Sequence, residues 1–188
     1  MNTEAPLKIL IVDDEAPART RLRELLGDIA AEVPNTIIGE ADNGVSALQA
    51  VEAELPDVAL VDIRMPKMDG VELARHLGQL PQPPAVIFAT AYDAYAVQAF
   101  ELNAIDYLMK PVRSTRLAAA LQKAKTARPV PGETLRQMQP EGRTHLSCHE
   151  RGRLLLIPVS DVLYLKADLK YVTARTKERE YLLDESLT

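Results

Sequence analysis

The sequence has one cysteine, no long apolar run and no excess of basic residues. Because Cys148 has no second cysteine to pair with, an intramolecular disulfide is excluded and a reducing cytosol fits best. The first apolar run is too short for a signal-peptide core, and no stretch is long enough to cross a membrane. We therefore expect a cytoplasmic protein that makes no membrane contact.

The net charge of −5 is unevenly distributed along the chain. Residues 1–125 hold 12 Lys and Arg against 18 Asp and Glu, whereas residues 144–188 hold 7 of each kind. The N-terminal part is thus acidic and the C-terminal part neutral. Bulk charge therefore does not by itself indicate nucleic-acid binding. Hydrophobic residues make up 47% of the chain, which is enough for a real core.

Short β-branched runs alternate with segments of helical spacing over the first 125 residues. The runs are residues 9–12, 36–38, 58–61, 86–88 and 105–109. Alternating strands and helices, with strands that are apolar on both faces, predict a doubly wound, five-stranded parallel sheet covered by helices. The fold class is therefore α/β.

The composition changes after residue 125. Residues 126–143 are rich in Pro and Gly and predict a linker. Beyond it the apolar period becomes two, which predicts a small, mainly antiparallel β module over residues 144–188. Turns are expected at residues 150–152, 167–170 and 177–178.

Charged residues stand where the predicted parallel strands end. Asp13 and Asp14 follow the first strand, Asp62 follows the third, and Lys110 closes the fifth. In such sheets ligands bind beyond the carboxyl ends of the strands, so these side chains are expected to meet there. Carboxylates suit Mg²⁺, and one of them could act as a nucleophile. The alternative is that the aspartates are separate turn or cap residues.

At this point the sequence resembles a known family. The residues VDD at 12–14, DIRMPKMDG at 62–70, AT at 89–90 and DYLMKP at 106–111 resemble the receiver domain of two-component response regulators. The motifs match in order and spacing over residues 1–125, which is far more specific than any one of them. The resemblance implies a flavodoxin-like receiver fold.

The resemblance also implies roles for the acidic residues. Asp62 resembles the phosphoacceptor, and Asp13 and Asp14 resemble the acidic pair that binds Mg²⁺ together with Asp62. The backbone carbonyl of Arg64 resembles the remaining protein ligand of the metal. Mg²⁺ is therefore the expected cofactor.

Further residues resemble the family's switch. Thr90 and Tyr107 match the switch pair, and Lys110 matches the phosphate-sensing lysine, with a cis bond expected before Pro111. The alternative for Tyr107 is an ordinary core aromatic. The resemblance implies that the switch repacks a receiver face used for homodimer or partner contacts, formed by residues 94–102, residues 104–109 and the helix from Ser114.

The C-terminal residues resemble a second family. The sequence LLLIPVSDVLYLKADLKYVTARTKEREYLLDESL, residues 154–187, is similar to the start of a LytTR-type DNA-binding domain. That domain continues beyond the position matched by Thr188, so we expect residues 144–188 to be its N-terminal part, incomplete by itself. Lys170 matches a DNA-contacting loop and is a candidate phosphate ligand, although a solvated hairpin lysine is the alternative. Tyr164 and Tyr171 are expected in the core.

Three functional hypotheses follow. The leading one is a non-enzymatic response regulator whose Asp62 accepts a phosphoryl group from a sensor histidine kinase, so as to control promoter DNA binding and transcription through the C-terminal module. The alternative is a receiver-only protein-interaction module whose DNA-binding half is missing or non-functional. A phosphatase or phosphotransferase that uses Asp62 as its nucleophile is disfavoured, because no separate substrate pocket or general acid is evident.

Overall fold

Five apolar strands form a parallel sheet in the order β2-β1-β3-β4-β5. They are β1 Leu7–Val12, β2 Asn35–Ala41, β3 Val58–Val61, β4 Ala85–Thr90 and β5 Asp106–Met109. The computed structural model describes residues 5–91, 105–126, 144–150, 153–168 and 171–183. The chain runs outward from β1 to β2 and then in the other direction from β3 to β5, so the topological switch point lies between β1 and β3. The predicted doubly wound sheet is confirmed.

Four helices of the described residues accompany this sheet: α1 Ala16–Asp28, α2 Gly44–Ala53, α3 Gly70–Gly78 and α4 Ser114–Thr126. Their apolar faces are buried, as Leu22, Leu25 and Leu26 show for α1. Asn43 and Asp69 cap α2 and α3 by accepting hydrogen bonds from backbone N–H groups at the helix starts. In the described part of the chain, no helix combines the length and the apolar character that a membrane crossing requires.

The C-terminal residues form a separate unit, since the chain divides into residues 1–140 and 141–188. Its strands are β6 His145–Glu150, β7 Arg153–Pro158, β8 Val162–Asp168, β9 Tyr171–Thr176 and β10 Glu180–Leu183. β6 and β7 pair as an antiparallel hairpin, and β10, β9 and β8 form an antiparallel sheet. A small core joins these strands: Leu146, Cys148, Ile157, Val172, Ala174 and Leu183. The predicted antiparallel β module is confirmed.

The prediction that Tyr164 and Tyr171 lie in this core is wrong. Tyr164 is 53% exposed and Tyr171 is 60% exposed. Both belong to the face of the sheet opposite Val172 and Ala174, because Tyr164 pairs with Arg175 and Tyr171 alternates with Val172 along β9. A period of two separates the faces of a strand, but only the packing of the sheet decides which face is buried.

Several expectations fall outside the described residues. These are the helix at 94–102, the linker apart from Thr126, which ends α4, and the turn residues 151–152 and 169–170, which include Lys170. They remain predictions from the sequence.

Two glycines give opposite predictions for stability. Gly27 lies in α1 and an added Cβ would meet nothing within 4 Å, whereas a Cβ on Gly70 would collide with the backbone carbonyl of Asp62. Gly27→Ala should stabilise the fold by about 0.5–1 kcal/mol through helix propensity. Gly70→Ala should destabilise it by about 1–3 kcal/mol through overpacking. Urea denaturation of both variants and of the parent protein measures these changes in the free energy of unfolding. Equal changes for the two variants would contradict the different roles given to Gly27 and Gly70.

Candidate functional site

Two buried aspartates continue neighbouring strands of the parallel sheet. Asp13 follows β1 and Asp62 follows β3, and the Asp62 N–H donates to the Val12 carbonyl at 2.8 Å. The pairing of these strands therefore extends one residue beyond β3 and holds the two side chains at the same edge. Asp13 is fully buried, Asp62 is 7% exposed, and Asp14 is exposed. One carboxylate oxygen from each of the three aspartates lies within 4.8 Å of the others.

Lys110 places its ammonium group against this cluster. Its Nζ lies 2.7 Å from Asp13 Oδ2, 3.5 Å from Asp62 Oδ2 and 3.7 Å from Glu15 Oε2. The Lys110 N–H donates to the carbonyl of Thr90 at 2.9 Å, which fixes the residue after β5 beside the end of β4. The Lys110–Pro111 peptide bond is cis, as expected. The structure thus brings together the four charged residues that the sequence singled out.

The site is electrostatically crowded around Asp62. Burial raises the pKa of Asp62, the charge of Lys110 opposes that rise, and the charge of Asp13 adds to it, so the pKa lies above its ordinary value. For Lys110, burial lowers the pKa, but the hydrogen bond to Asp13 and the charges of Asp62, Asp13 and Glu15 outweigh it, and the pKa is raised. Lys110 is therefore held as a cation, while the carboxylates repel each other.

The donor set fits a hard divalent cation. The clustered atoms of Asp13, Asp14 and Asp62 are all carboxylate oxygens, and the exposed Asp14 leaves one side of the cluster facing solvent. Mg²⁺ prefers oxygen ligands and retains several waters, so a partly open site with few protein ligands suits it. A cation here would also offset the burial of Asp62 and the nearby charge of Asp13, which together raise the pKa of Asp62.

The loop from Asp62 to α3 contains Arg64, whose backbone carbonyl is the predicted metal ligand. A backbone hydrogen bond and a left-handed residue shape this loop. The Gly70 N–H donates to the Ile63 carbonyl at 2.8 Å, and Lys67 takes a left-handed backbone with φ of 68°. Glycine is needed at position 70 because the backbone there approaches the Asp62 carbonyl too closely for a side chain.

This loop also rests on the start of α2. The Gly44 N–H donates to the Met68 carbonyl at 3.3 Å. A Cβ on Gly44 would approach Met68 side-chain atoms to 2.7 Å, and the Met68 side chain itself is buried. The packing of Met68 on a bare backbone thus anchors the segment that carries Arg64.

The predicted switch residues lie on one face of the sheet. Phe88 pairs with Tyr107 and Thr90 pairs with Met109 across β4 and β5. Since directly paired residues point to the same side, Thr90 and Tyr107 are diagonal neighbours on that side. Thr90 is 1% exposed, whereas Tyr107 is half-buried. The arrangement allows the two side chains to influence each other's packing.

Two residues that the sequence reasoning missed also contact the site. The Glu15 N–H donates to Asp13 Oδ1 at 3.0 Å, and Arg19 Nη1 donates to the Asp13 backbone carbonyl at 2.7 Å. Arg19 follows Asp13 by six positions, on the first turns of α1. An arginine at that spacing reads as an ordinary exposed helix residue, so nothing in the sequence alone distinguishes it.

Comparison with known families identifies the class of protein. Residues 9–122 match the response regulator receiver domain. The chain therefore belongs to the response regulator family, as the four sequence motifs predicted.

Within this family, the chain is similar to particular regulators. The chain is 43% identical to the positive alginate biosynthesis regulatory protein of Pseudomonas aeruginosa over 96% of this chain and 74% of that protein. It is 36% identical to the sensory transduction protein LytT of Bacillus cereus, again over 96% of this chain and 74% of the relative. The sequence itself indicated a resemblance to an alginate-biosynthesis regulator of pseudomonads and to LytTR-type regulators, and both are confirmed.

Solved structures agree with the fold. The signal receiver domain of the putative response regulator NarL from Mycobacterium tuberculosis has a TM-score of 0.57 and 32% identity, covering 66% of this chain and 100% of that one. The response regulatory domain of protein mrkE from Klebsiella pneumoniae has a TM-score of 0.55 and 36% identity, covering 64% and 96% of the two chains. Both likenesses concern the parallel-sheet unit.

The raised pKa of Asp62 predicts that replacing this carboxylate makes the fold more stable, by an amount that depends on pH. Because the pKa of Asp62 is raised in the fold, the native protein binds this proton more tightly than the unfolded chain does. Its stability therefore falls as pH rises from the ordinary aspartate pKa through the raised value. Asp62→Asn lacks this loss, so without divalent metal it should be more stable than the parent protein at neutral pH.

Urea denaturation across the acidic to neutral range measures this difference. The difference in unfolding free energy between Asp62→Asn and the parent should open as pH rises and close at low pH. A gap that does not depend on pH would show that the crowding of charge at Asp62 does not weaken the fold.

Proposed function

We propose that this protein is a phosphorylation-dependent response regulator in which Asp62 accepts a phosphoryl group from a partner sensor histidine kinase. The observation that carries the proposal is the meeting of three aspartate carboxylates within 4.8 Å, with the Lys110 ammonium 2.7 Å from one and 3.5 Å from another. A structural turn needs no such concentration of charge. A site that receives a phosphoryl dianion needs both the cation-binding oxygens and the ammonium.

The residues divide the chemistry between them. An Asp62 carboxylate oxygen forms a bond to phosphorus as the bond between phosphorus and the kinase histidine nitrogen breaks, and its electron pair stays on that nitrogen. Asp13, Asp14, Asp62 and the Arg64 carbonyl would hold Mg²⁺, which when bound supplies positive charge to offset the phosphoryl oxygens. Lys110 leaves its carboxylate partners to pair with the transferred group.

The response to phosphorylation is assigned to Thr90 and Tyr107. The new phosphoryl group offers strong acceptor oxygens beyond the end of β4, where Thr90 lies. A shift of Thr90 toward it opens space on the face that Thr90 shares with Tyr107, and Tyr107 turns inward. The surface of β5 and α4 then changes, and we propose that it is the homodimer face. Arg116 contacts this surface by donating to Asp106 Oδ1 at 3.0 Å and to the Tyr107 carbonyl at 3.1 Å.

The output is proposed to be promoter DNA binding in the cytoplasm by the C-terminal module. The receiver predicted at residues 1–125 extends to Thr126, which ends α4, and we place the linker to the module at residues 127–143. The similarity to LytT-type regulators supports this assignment. One observation favours the alternative, a protein-interaction module. Arg179 is held by both carboxylate oxygens of Glu150 at 3.0 and 2.8 Å, and Arg175 lies 3.9 Å from Glu180, so these arginines are already partnered.

Labelling with a small phosphodonor tests the acceptor. With acetyl phosphate and Mg²⁺, mass spectrometry should detect one phosphoryl group on the parent protein and on Asp28→Asn, but none on Asp62→Asn. A chelator should abolish the label, because the carboxylates then lack the cation that makes transfer favourable. Undiminished labelling of Asp62→Asn would refute the assignment of Asp62.

Salt-dependent binding to duplex DNA tests the output. Binding through phosphate contacts should weaken steeply as salt is raised. Lys170→Ala should weaken binding to all sequences alike and lower the salt slope by about one, as expected for one phosphate contact. Lys8→Ala, which removes an exposed lysine from β1, away from the proposed homodimer face, is the matched control and should change neither quantity. No binding by phosphorylated parent protein would favour the protein-interaction alternative.

A further inference from the structure

Asp13 is held by hydrogen bonds to its N–H, its carbonyl and its side chain. The Asp13 N–H donates to the Ala41 carbonyl at 3.0 Å, which extends the pairing of β1 with β2. The Asp13 carbonyl accepts a hydrogen bond from Arg19 Nη1 at 2.7 Å. Asp13 Oδ1 accepts the Glu15 N–H at 3.0 Å. Within the first strand-to-helix connection, Asp13 thus accepts hydrogen bonds at its carbonyl and at Oδ1. The contact at the carbonyl bears on the orientation of the peptide that leads to the next residue, Asp14.

Arg19 is itself held in place. Its Nε lies 3.3 Å from Glu40 Oε2, and the other oxygen of Glu40 lies 3.3 Å from Arg23 Nη1. Side-chain exposure is 20% for Arg19 and 28% for Glu40, so this ion pair is partly shielded from solvent. The guanidinium therefore spans from Glu40 on β2 to the carbonyl of Asp13 after β1. A planar group with donors in fixed directions suits such a bridge.

We propose that Arg19 is a positioning residue for the metal-binding carboxylates, because its hydrogen bond to the Asp13 carbonyl sets the orientation of the peptide that presents Asp14. The inference rests on the proposed function, since it assigns a support to the same Mg²⁺ site. Arg19 touches neither metal nor phosphoryl group and acts only through the backbone of Asp13. Glu40 has the complementary task of holding the guanidinium and offsetting its charge.

The positive charge of Arg19 makes the proposal testable, because charge and geometry act in opposite directions. A cation close to the site repels Mg²⁺, so loss of charge alone would strengthen metal binding. Loss of the hydrogen bond frees the peptide and would weaken metal binding. Arg23 offers a matched control, since it carries the same charge on the same helix, and it contacts the same Glu40 together with Thr20.

Mn²⁺ binding to the whole chain, followed by electron paramagnetic resonance of the free ion, measures the effect without phosphorylation. Arg19→Ala should weaken Mn²⁺ binding by about 10-fold or more, the range typical of residues that orient metal ligands. Arg23→Ala should stay within about twofold of the parent, because its charge is more exposed and screened. Arg19→Lys should bind Mn²⁺ more tightly than Arg19→Ala although it keeps the repulsive charge, since only a restored hydrogen bond explains that order.

The outcomes separate this inference from the proposed function. If the parent binds Mn²⁺ and Arg19→Ala binds it as well as Arg23→Ala does, the positioning role is refuted while the metal site stands. Equal Mn²⁺ affinities for Arg19→Lys and Arg19→Ala also refute the positioning role. If thermal unfolding shows that Arg19→Ala is not folded, the decisive comparison is between Arg19→Lys and the parent. The affinity of Arg19→Lys is then expected to lie within about 10-fold of that of the parent. Failure of the parent to bind Mn²⁺, or binding that survives in Asp13→Asn/Asp62→Asn, overturns both proposals.

Discussion

The crowding of carboxylates at one end of a parallel sheet is the constraint on which the rest of the site depends. Buried carboxylates are costly unless they are paired or bind a cation. Asp13 and Asp62 are buried beside each other, and Lys110 is the ammonium that lies within ion-pairing distance of both. The charge of Lys110 compensates only part of this cost, because burial and the charge of Asp13 still raise the pKa of Asp62. A site held in this condition gains from accepting a cation, which agrees with the proposed Mg²⁺ site.

The surrounding fold serves to hold that crowding in place. The hydrogen bond from Asp62 N–H to Val12 continues the strand pairing into the site, and Lys110 N–H is tied to Thr90 in the same way. Met68 packs on the bare backbone of Gly44, and Gly70 closes against Asp62, so the loop between them has little freedom. The backbone hydrogen bonds cost no side-chain entropy, and they orient groups that would otherwise move apart under their mutual repulsion.

Much of this architecture could be predicted from the sequence. The alternation of strand and helix signals, together with the identity of Asp13, Asp62 and Lys110, placed the charged residues at strand ends, and the structure brings them together. The role of Arg19 could not be predicted, because its contact with the Asp13 carbonyl depends on how α1 leaves β1. The exposure of Tyr164 and Tyr171 could not be predicted either, because alternation defines two faces of a strand without stating which one packs.

The sequence by itself determined the order of strands and helices, the division into two units and the residues at the strand ends. It could do so because periodicity is a local property, and because parallel strands necessarily gather their carboxyl ends at one edge. Tertiary structure alone decided the reason for Gly70, the bridge from Glu40 through Arg19 to Asp13, and the outward-facing tyrosines of the C-terminal sheet. These features depend on close approach and register between separate segments, which no local pattern in the sequence encodes.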